Sequence, residues 1–227
     1  MKLKTFVALI IDESGSMSSI KKETINNFNE QLQVLKQESN SPDAIAKKLL
    51  IGGQEYEGVE TFVSVVKFNQ DTNIIINLAD VNNISEITDT DYSPNGGTAL
   101  YDAIGDTIER FQSIPEMSDP GSSALFIILT DGEENSSKRF SHKRVKSLID
   151  DLNADKKWTF TFMGTENALD QAREIGIAYG NTVAFDNTAK GMAVANNVMT
   201  TSLRSYYSAR LSGETSVDSF YSDEDKA

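Results

Sequence analysis

Five oxygen-bearing side chains stand out by type and spacing. Asp12, Ser14 and Ser16 alternate in Ile10-Ile11-Asp12-Glu13-Ser14-Gly15-Ser16, one carboxylate followed by two hydroxyls. Thr98 follows Gly96-Gly97, and Asp131 lies in Thr130-Asp131-Gly132-Glu133-Glu134-Asn135. Carboxylates and hydroxyls are hard donors. Mg²⁺ and Mn²⁺ take octahedral oxygen ligands at roughly 2.0–2.2 Å, and Mg²⁺ keeps some of its waters. Two aspartates neutralise such an ion, three hydroxyls add neutral donors, and room remains for one ligand from outside. The carboxylates are too few for a dedicated calcium cage. Gly15 permits a tight backbone path between the serines, and Gly96-Gly97 lets a second loop approach closely.

These residues need a frame that brings them together. Residues 5–11 form an apolar run that reads as a buried strand, and residues 18–37 carry Ile25, Phe28, Leu32 and Leu35 at helical spacing. Residues 38–59 are polar, a loop or short excursion with room for a small hairpin. Residues 60–68 and 72–78 are two strands joined by Asn69-Gln70-Asp71, a link short enough for an antiparallel edge pair. A helix is expected over 98–113, and a strand buried on both faces over 123–130 (SALFIILT). A helix over 141–152, a strand over 157–163, a helix over 166–176, a short strand over 182–185 and a last helix over 188–210 complete the alternation. This is an α/β open sheet, mostly parallel, with helices on both faces. In such a sheet ligands bind beyond the carboxyl ends of the strands. Asp12 and Asp131 leave strand ends and Thr98 opens a helix, so all three loops can reach one edge.

Each residue also has a plainer use. Asp12 and Ser14 could make a turn and cap a helix, Thr98 could be only an N-cap, and Asp131 an Asx-turn residue. Asp102 lies one helical turn past Thr98 on the same face. It either orients Thr98 or a metal-bound water from behind, or is an ordinary helix residue. Glu133, Glu134 and Asn135 read as the rim of a solvated loop.

The 227 residues suit one large domain and carry a formal net charge of −13. That excludes the basic footprint of nucleic-acid binding and disfavours anionic membrane surfaces, while permitting divalent cations and basic partners. No run of 18 apolar residues predicts a membrane span. The start, Met1-Lys2-Leu3-Lys4, reads as the beginning of a strand rather than a signal peptide. There are no cysteines, which removes disulfides, thiolate zinc sites and thiol catalysis, and the single His142 leaves no basis for a histidine triad. A cytoplasmic location is expected.

Taken in order, Asp12-x-Ser14-x-Ser16, Gly96-Gly97-Thr98 and Thr130-Asp131-Gly132 resemble the von Willebrand factor A (VWA) domain with a complete metal-ion-dependent adhesion site (MIDAS). The resemblance covers about residues 3–210. It implies a Rossmann-like sheet of six strands, mostly parallel, with one short antiparallel edge strand. It implies Ser14, Ser16 and Thr98 as hydroxyl ligands of Mg²⁺ or Mn²⁺, with Asp12 and Asp131 acting directly or through water. An Asp or Glu of a protein partner would complete the shell, in a binding module rather than an enzyme. The lack of cysteines and of a signal segment then points to an intracellular protein of a bacterium or its phage.

Two other functions fit parts of the pattern. One is a scaffold whose metal is only structural. The other is a metal-assisted phosphoryl transferase with Asp12 as nucleophile, but such enzymes need a second carboxylate two residues on, where this chain has Ser14. The domain is expected over 1–210, with 38–59 as a polar insertion. Residues 211–227 are expected to be a flexible acidic tail, whose Asp218, Asp223, Glu224 and Asp225 could occupy the open metal position in cis or in a neighbouring copy.

Overall fold

The computed structural model describes residues 1–221. A six-stranded sheet runs in the order β5-β4-β1-β6-β7-β8. Its strands are β1 (Leu3–Asp12), β4 (Val59–Phe68), β5 (Thr72–Asp80), β6 (Ser122–Thr130), β7 (Trp158–Gly164) and β8 (Thr182–Ala184). All pairings are parallel except β4 with β5, which is antiparallel and places β5 at an edge. The expected architecture is therefore the one observed.

The alternation of apolar side chains explains the layers. Along β1, Val7, Leu9 and Ile11 face the core under α1 (Lys21–Ser39) and α6 (Ala189–Arg210). Phe6, Ala8 and Ile10 face the core under α3 (Leu100–Gln112), α4 (His142–Asp155) and α5 (Glu166–Glu174). Successive side chains of a strand point to opposite faces, so a central strand covered on both sides must be apolar throughout. β6 meets this demand with nine buried residues. A 3-10 turn over Gly15–Ile20 leads from β1 into α1.

The polar stretch 38–59 holds a short helix, α2 (Pro42–Ala46), and a hairpin of β2 (Lys48–Ile51) with β3 (Gln54–Glu57). Tyr56 ties it down: the ring is buried and its hydroxyl donates to Asp119 Oδ1 at 2.6 Å.

Residues 211–221, expected as part of a flexible acidic tail, lie against the domain. Thr215 Oγ1 donates to Lys156 O (2.7 Å), Val217 N to Thr159 Oγ1 (3.1 Å) and Tyr221 N to Gly180 O (2.9 Å). Phe220 and Tyr221 are buried, Phe220 lying 6.2 Å from the Tyr206 ring. Two aromatic anchors outweigh the surrounding serines and acids. The segment begins at Arg210, itself buried, whose guanidinium donates to Thr5 Oγ1, Glu214 O and Gly121 O. Asp218 pairs with Lys156 (3.0 Å), just before β7 and so at the amino edge of the parallel strands. It is held away from the carboxyl edge of its own chain. Asp223, Glu224 and Asp225 lie outside the described residues.

Candidate functional site

Parallel register puts Asp12 at the carboxyl end of β1, beside Phe68 of β4 and one residue past the Ile11–Leu129 pair with β6. Neighbouring chain segments hold it there. Thr130 Oγ1 donates to Asp12 Oδ2 (2.5 Å), Ser14 N donates to Asp12 Oδ1 (2.6 Å), and the Tyr92 hydroxyl donates to the Asp12 carbonyl. Asp12 is fully buried. Burial pushes its carboxyl up to about 6; the hydrogen bonds from Thr130 and Ser14 work against that, and the charge of Asp131 adds to it. Lys67, on the adjoining strand, is committed to Glu13 at 2.8 Å.

The second loop is stitched to the first through backbone. Asn95 N donates to Glu13 O (2.8 Å) and Gly15 N to Gly96 O (3.1 Å). Gly96 has φ +75°, and a side chain there would also collide with the Gln70 amide. Thr98 follows, buried, with its N–H on Asn135 Oδ1 (2.9 Å) and its carbonyl accepting from Asn135 N and Ser136 N. The third loop brings Asp131, whose Oδ1 accepts from Ser16 Oγ at 2.6 Å, while Ser14 Oγ and Ser16 Oγ lie 3.0 Å apart.

Gly132 marks where these oxygens meet. A Cβ added to it would lie 3.2 Å from Thr98 Oγ1, 3.6 Å from Ser16 Oγ and 3.7 Å from Asp12 Oδ2. All five expected residues thus come to one edge of the sheet. The plainer uses of two hydroxyls are not realised. Ser14 occupies the cap position of the 3-10 turn without a side-chain capping bond, and the cap position of α3 belongs to Ala99, not Thr98. Two buried or half-buried carboxylates beside hydroxyls that cap nothing form a donor set suited to a hard divalent cation. Among the described residues no three His, Cys, Asp or Glu side chains cluster as a metal site. The set here is two carboxylates with three hydroxyls, a different composition.

Asp102, read either as a support behind Thr98 or as an ordinary helix residue, is engaged by another loop. Its carboxylate accepts from Lys138 N (2.8 Å), Arg139 N (2.9 Å) and Phe140 N (2.7 Å), and so holds the loop between β6 and α4. The cause is direction: the side chain turns toward three unpaired N–H groups of that loop, which would otherwise be costly to bury. Glu134 is likewise no free rim residue. It accepts from Tyr101 N, Ser136 N, Ser137 N and Ser137 Oγ, at 2.7–2.9 Å. With Ser137 Oγ on Asp102 N (3.0 Å), it satisfies the first turn of α3 from outside the helix, which leaves the Thr98 hydroxyl uncommitted to that task. Glu133 is exposed.

Two contributors escaped the sequence reading. Thr130 was visible only as part of a turn motif, yet its hydroxyl holds Asp12. Asn187, before α6, donates to Asp131 Oδ2 at 2.8 Å and accepts from Ser19 Oγ at 3.2 Å. It sits 56 residues from Asp131, and no local pattern announces it.

The family model for the von Willebrand factor type A domain matches residues 7–198. The chain belongs to this family. A search of curated proteins gives no significant match. Among solved structures, the A domain resembles proximal thread matrix protein 1 of the mussel byssus, at 12% identity and a TM-score of 0.55, over 90% of this chain and 46% of that one. It spans about half the length of the first structures it matches. The von Willebrand factor domain of a type V pili tip protein from Porphyromonas gingivalis matches at 10% identity and a TM-score of 0.57, over 91% of this chain and 97% of that one. A manganese-loaded TRAP protein of Plasmodium vivax matches at 16% identity and 0.51, over 86% and 71%. Such identities speak to the fold alone. A domains are generally binding or adhesion modules rather than enzymes. Among the described residues no helix is long and apolar enough to cross a membrane.

Proposed function

We propose that this A domain is a divalent-metal-dependent protein-binding module. Its Asp12, Ser14, Ser16, Thr98 and Asp131 would form a metal-ion-dependent adhesion site for Mg²⁺ or Mn²⁺. An Asp or Glu of a partner protein would take the remaining position. The observation that carries this reading is the convergence of Thr98, Ser16 and Asp12 oxygens around Gly132. The Ser14 hydroxyl, at a cap position yet paired with Ser16 Oγ rather than with the backbone, supports it, as does an Asp12 whose ionised form the fold disfavours unless a cation is near. That a related fold is known in manganese-loaded form agrees with it.

When bound, the ion supplies a concentrated positive charge that attracts a carboxylate in a partly dried setting. The chain's own residues do the rest. Thr130 and Ser14 N–H fix the Asp12 carboxylate, and the neutral hydroxyls add donors without adding negative charge. Only two carboxylates face the centre, so a third, from a partner, is not repelled by an anionic shell. The cysteine-free composition leads us to place this module in the cytoplasm.

The test is a thermal-shift titration with Mg²⁺, Mn²⁺ and Ca²⁺ on the wild type and on an Asp12→Ala/Ser14→Ala variant, each with and without a glutamate-containing peptide. Stabilisation by Mg²⁺ or Mn²⁺ that the double variant loses is the expected result. Equal stabilisation in both proteins would move the metal elsewhere and leave a scaffold. No stabilisation in any arm would reject the metal reading.

A further inference from the structure

Asn187 contacts Asp131 on the side away from Ser16. Asp131 Oδ1 takes the Ser16 hydroxyl (2.6 Å) and Oδ2 takes the Asn187 amide (2.8 Å), so both carboxylate oxygens are held. Asn187 is itself oriented, its Oδ1 accepting from Ser19 Oγ (3.2 Å). The next residue, Thr188, caps α6 by accepting from Gly191 N (3.1 Å), which fixes the backbone that presents Asn187. A carboxamide here has a specific chemical consequence. It donates to Asp131 and adds no charge. An aspartate of the same shape would orient nothing on Asp131 without a proton between them, and would raise the carboxylates at the site from two to three.

We infer that Asn187 is a positioning residue that sets which cation this site prefers: it aims the Asp131 carboxylate while keeping the charge count at two. This rests on the metal-binding reading above. Mg²⁺ suits a small site with few carboxylates, whereas Ca²⁺ gains from additional carboxylate oxygens and tolerates irregular geometry. Partners that orient metal ligands typically change affinity 10–100-fold when removed. A neutral residue in this place also keeps the loaded site from becoming net negative, as a third carboxylate of its own would make it, and so from repelling an acidic group.

The experiment measures Kd for Mg²⁺ and Ca²⁺ alone, by calorimetry on the full chain, for wild type, Asn187→Ala and Asn187→Asp, with Asp131→Ala and Asp131→Ala/Asn187→Ala alongside. Thermal unfolding without metal checks the fold of each. Asn187→Ala should weaken Mg²⁺ about tenfold. Asn187→Asp should shift the Ca²⁺-over-Mg²⁺ preference by at least tenfold toward Ca²⁺. In the Asp131→Ala background, Asn187→Ala should change nothing further. If Asn187→Asp leaves the preference at the wild-type ratio, the inference fails while the metal reading stands. It fails equally if Asn187→Ala acts undiminished without Asp131, since its role would then be to brace the loop. If the wild type binds neither ion, the metal reading fails and the inference with it.

Discussion

Hydroxyl residues at helix starts behave in two ways in this domain. Outside the five-residue candidate site they cap. Ser41 accepts from Ala44 N at the start of α2, and Ser141 from Arg144 N at the start of α4. Within the site, Ser14 and Thr98 do not. Ser14 stands in the cap position of its 3-10 turn with its hydroxyl against Ser16, and α3 begins two residues after a Thr98 that caps nothing. The orphan N–H groups of α3 are served instead by Glu134 and Ser137. The same residue types thus spend their oxygens on local structure in one region and are kept free of it in the other. Hydroxyls spared from the backbone beside Asp12 and Asp131 are what the proposed metal site requires.

This contrast can be broken by substitution. The largest effect is expected at Asp12. A ligand at about 100 times its Kd stabilises the native state by about 2.7 kcal/mol. Asp12→Ala should lose all of that gain with Mg²⁺, read as the difference in unfolding free energy with and without the ion. A retained gain would show that Asp12 is not a ligand.

Next come Ser14→Ala and pH, each worth about a tenfold change in affinity, or about 1.4 kcal/mol. Ser14→Ala should weaken Mg²⁺ by that factor while moving metal-free stability by less than about 0.5 kcal/mol, as for a residue that caps nothing. A large loss without metal would return Ser14 to the class of structural caps. The pH effect follows from Asp12. Its carboxyl sits near 6 in the fold against an ordinary 3.8. Without metal, its contribution to stability is therefore present below about pH 3.8 and is lost as pH rises through 6. Metal needs the ionised form, so the sign reverses for binding: Kd for Mg²⁺ should rise about tenfold per unit as pH falls below 6. A flat calorimetric profile from pH 7 to 5 would contradict this.

The smallest effect belongs to the other region. Ser41→Ala should cost about 1 kcal/mol, the usual value of a lost N-cap, equally with and without Mg²⁺. Chemical denaturation in both conditions checks it, and a metal-dependent difference would blur the distinction between the two groups of hydroxyls.

The frame of this domain was legible because its signals are periodic. The apolar run of β6 and the helical faces of α1, α3 and α6 follow from burial on two faces or one. The convergence of the five oxygen residues was legible because strand ends in a parallel sheet share an edge. What escaped depended on direction and distance. Asp102 lies on the expected helix face, yet its carboxylate turns to three N–H groups of another loop. Glu134 looked solvated because loop composition hides a carboxylate that replaces a helix cap. Asn187 reaches Asp131 only through the packing of α6. Phe220 and Tyr221 were outvoted by the acids and serines around them, although two buried aromatic rings are enough to lay down a segment.

The most direct measurement is an anomalous difference map from a crystal of the wild-type protein grown or soaked with Mn²⁺. The account predicts one strong peak beside Gly132, about 2.0–2.2 Å from hydroxyl oxygens of Ser14, Ser16 and Thr98. A peak at another carboxylate group, or none at this edge in protein shown to bind Mn²⁺, would contradict it.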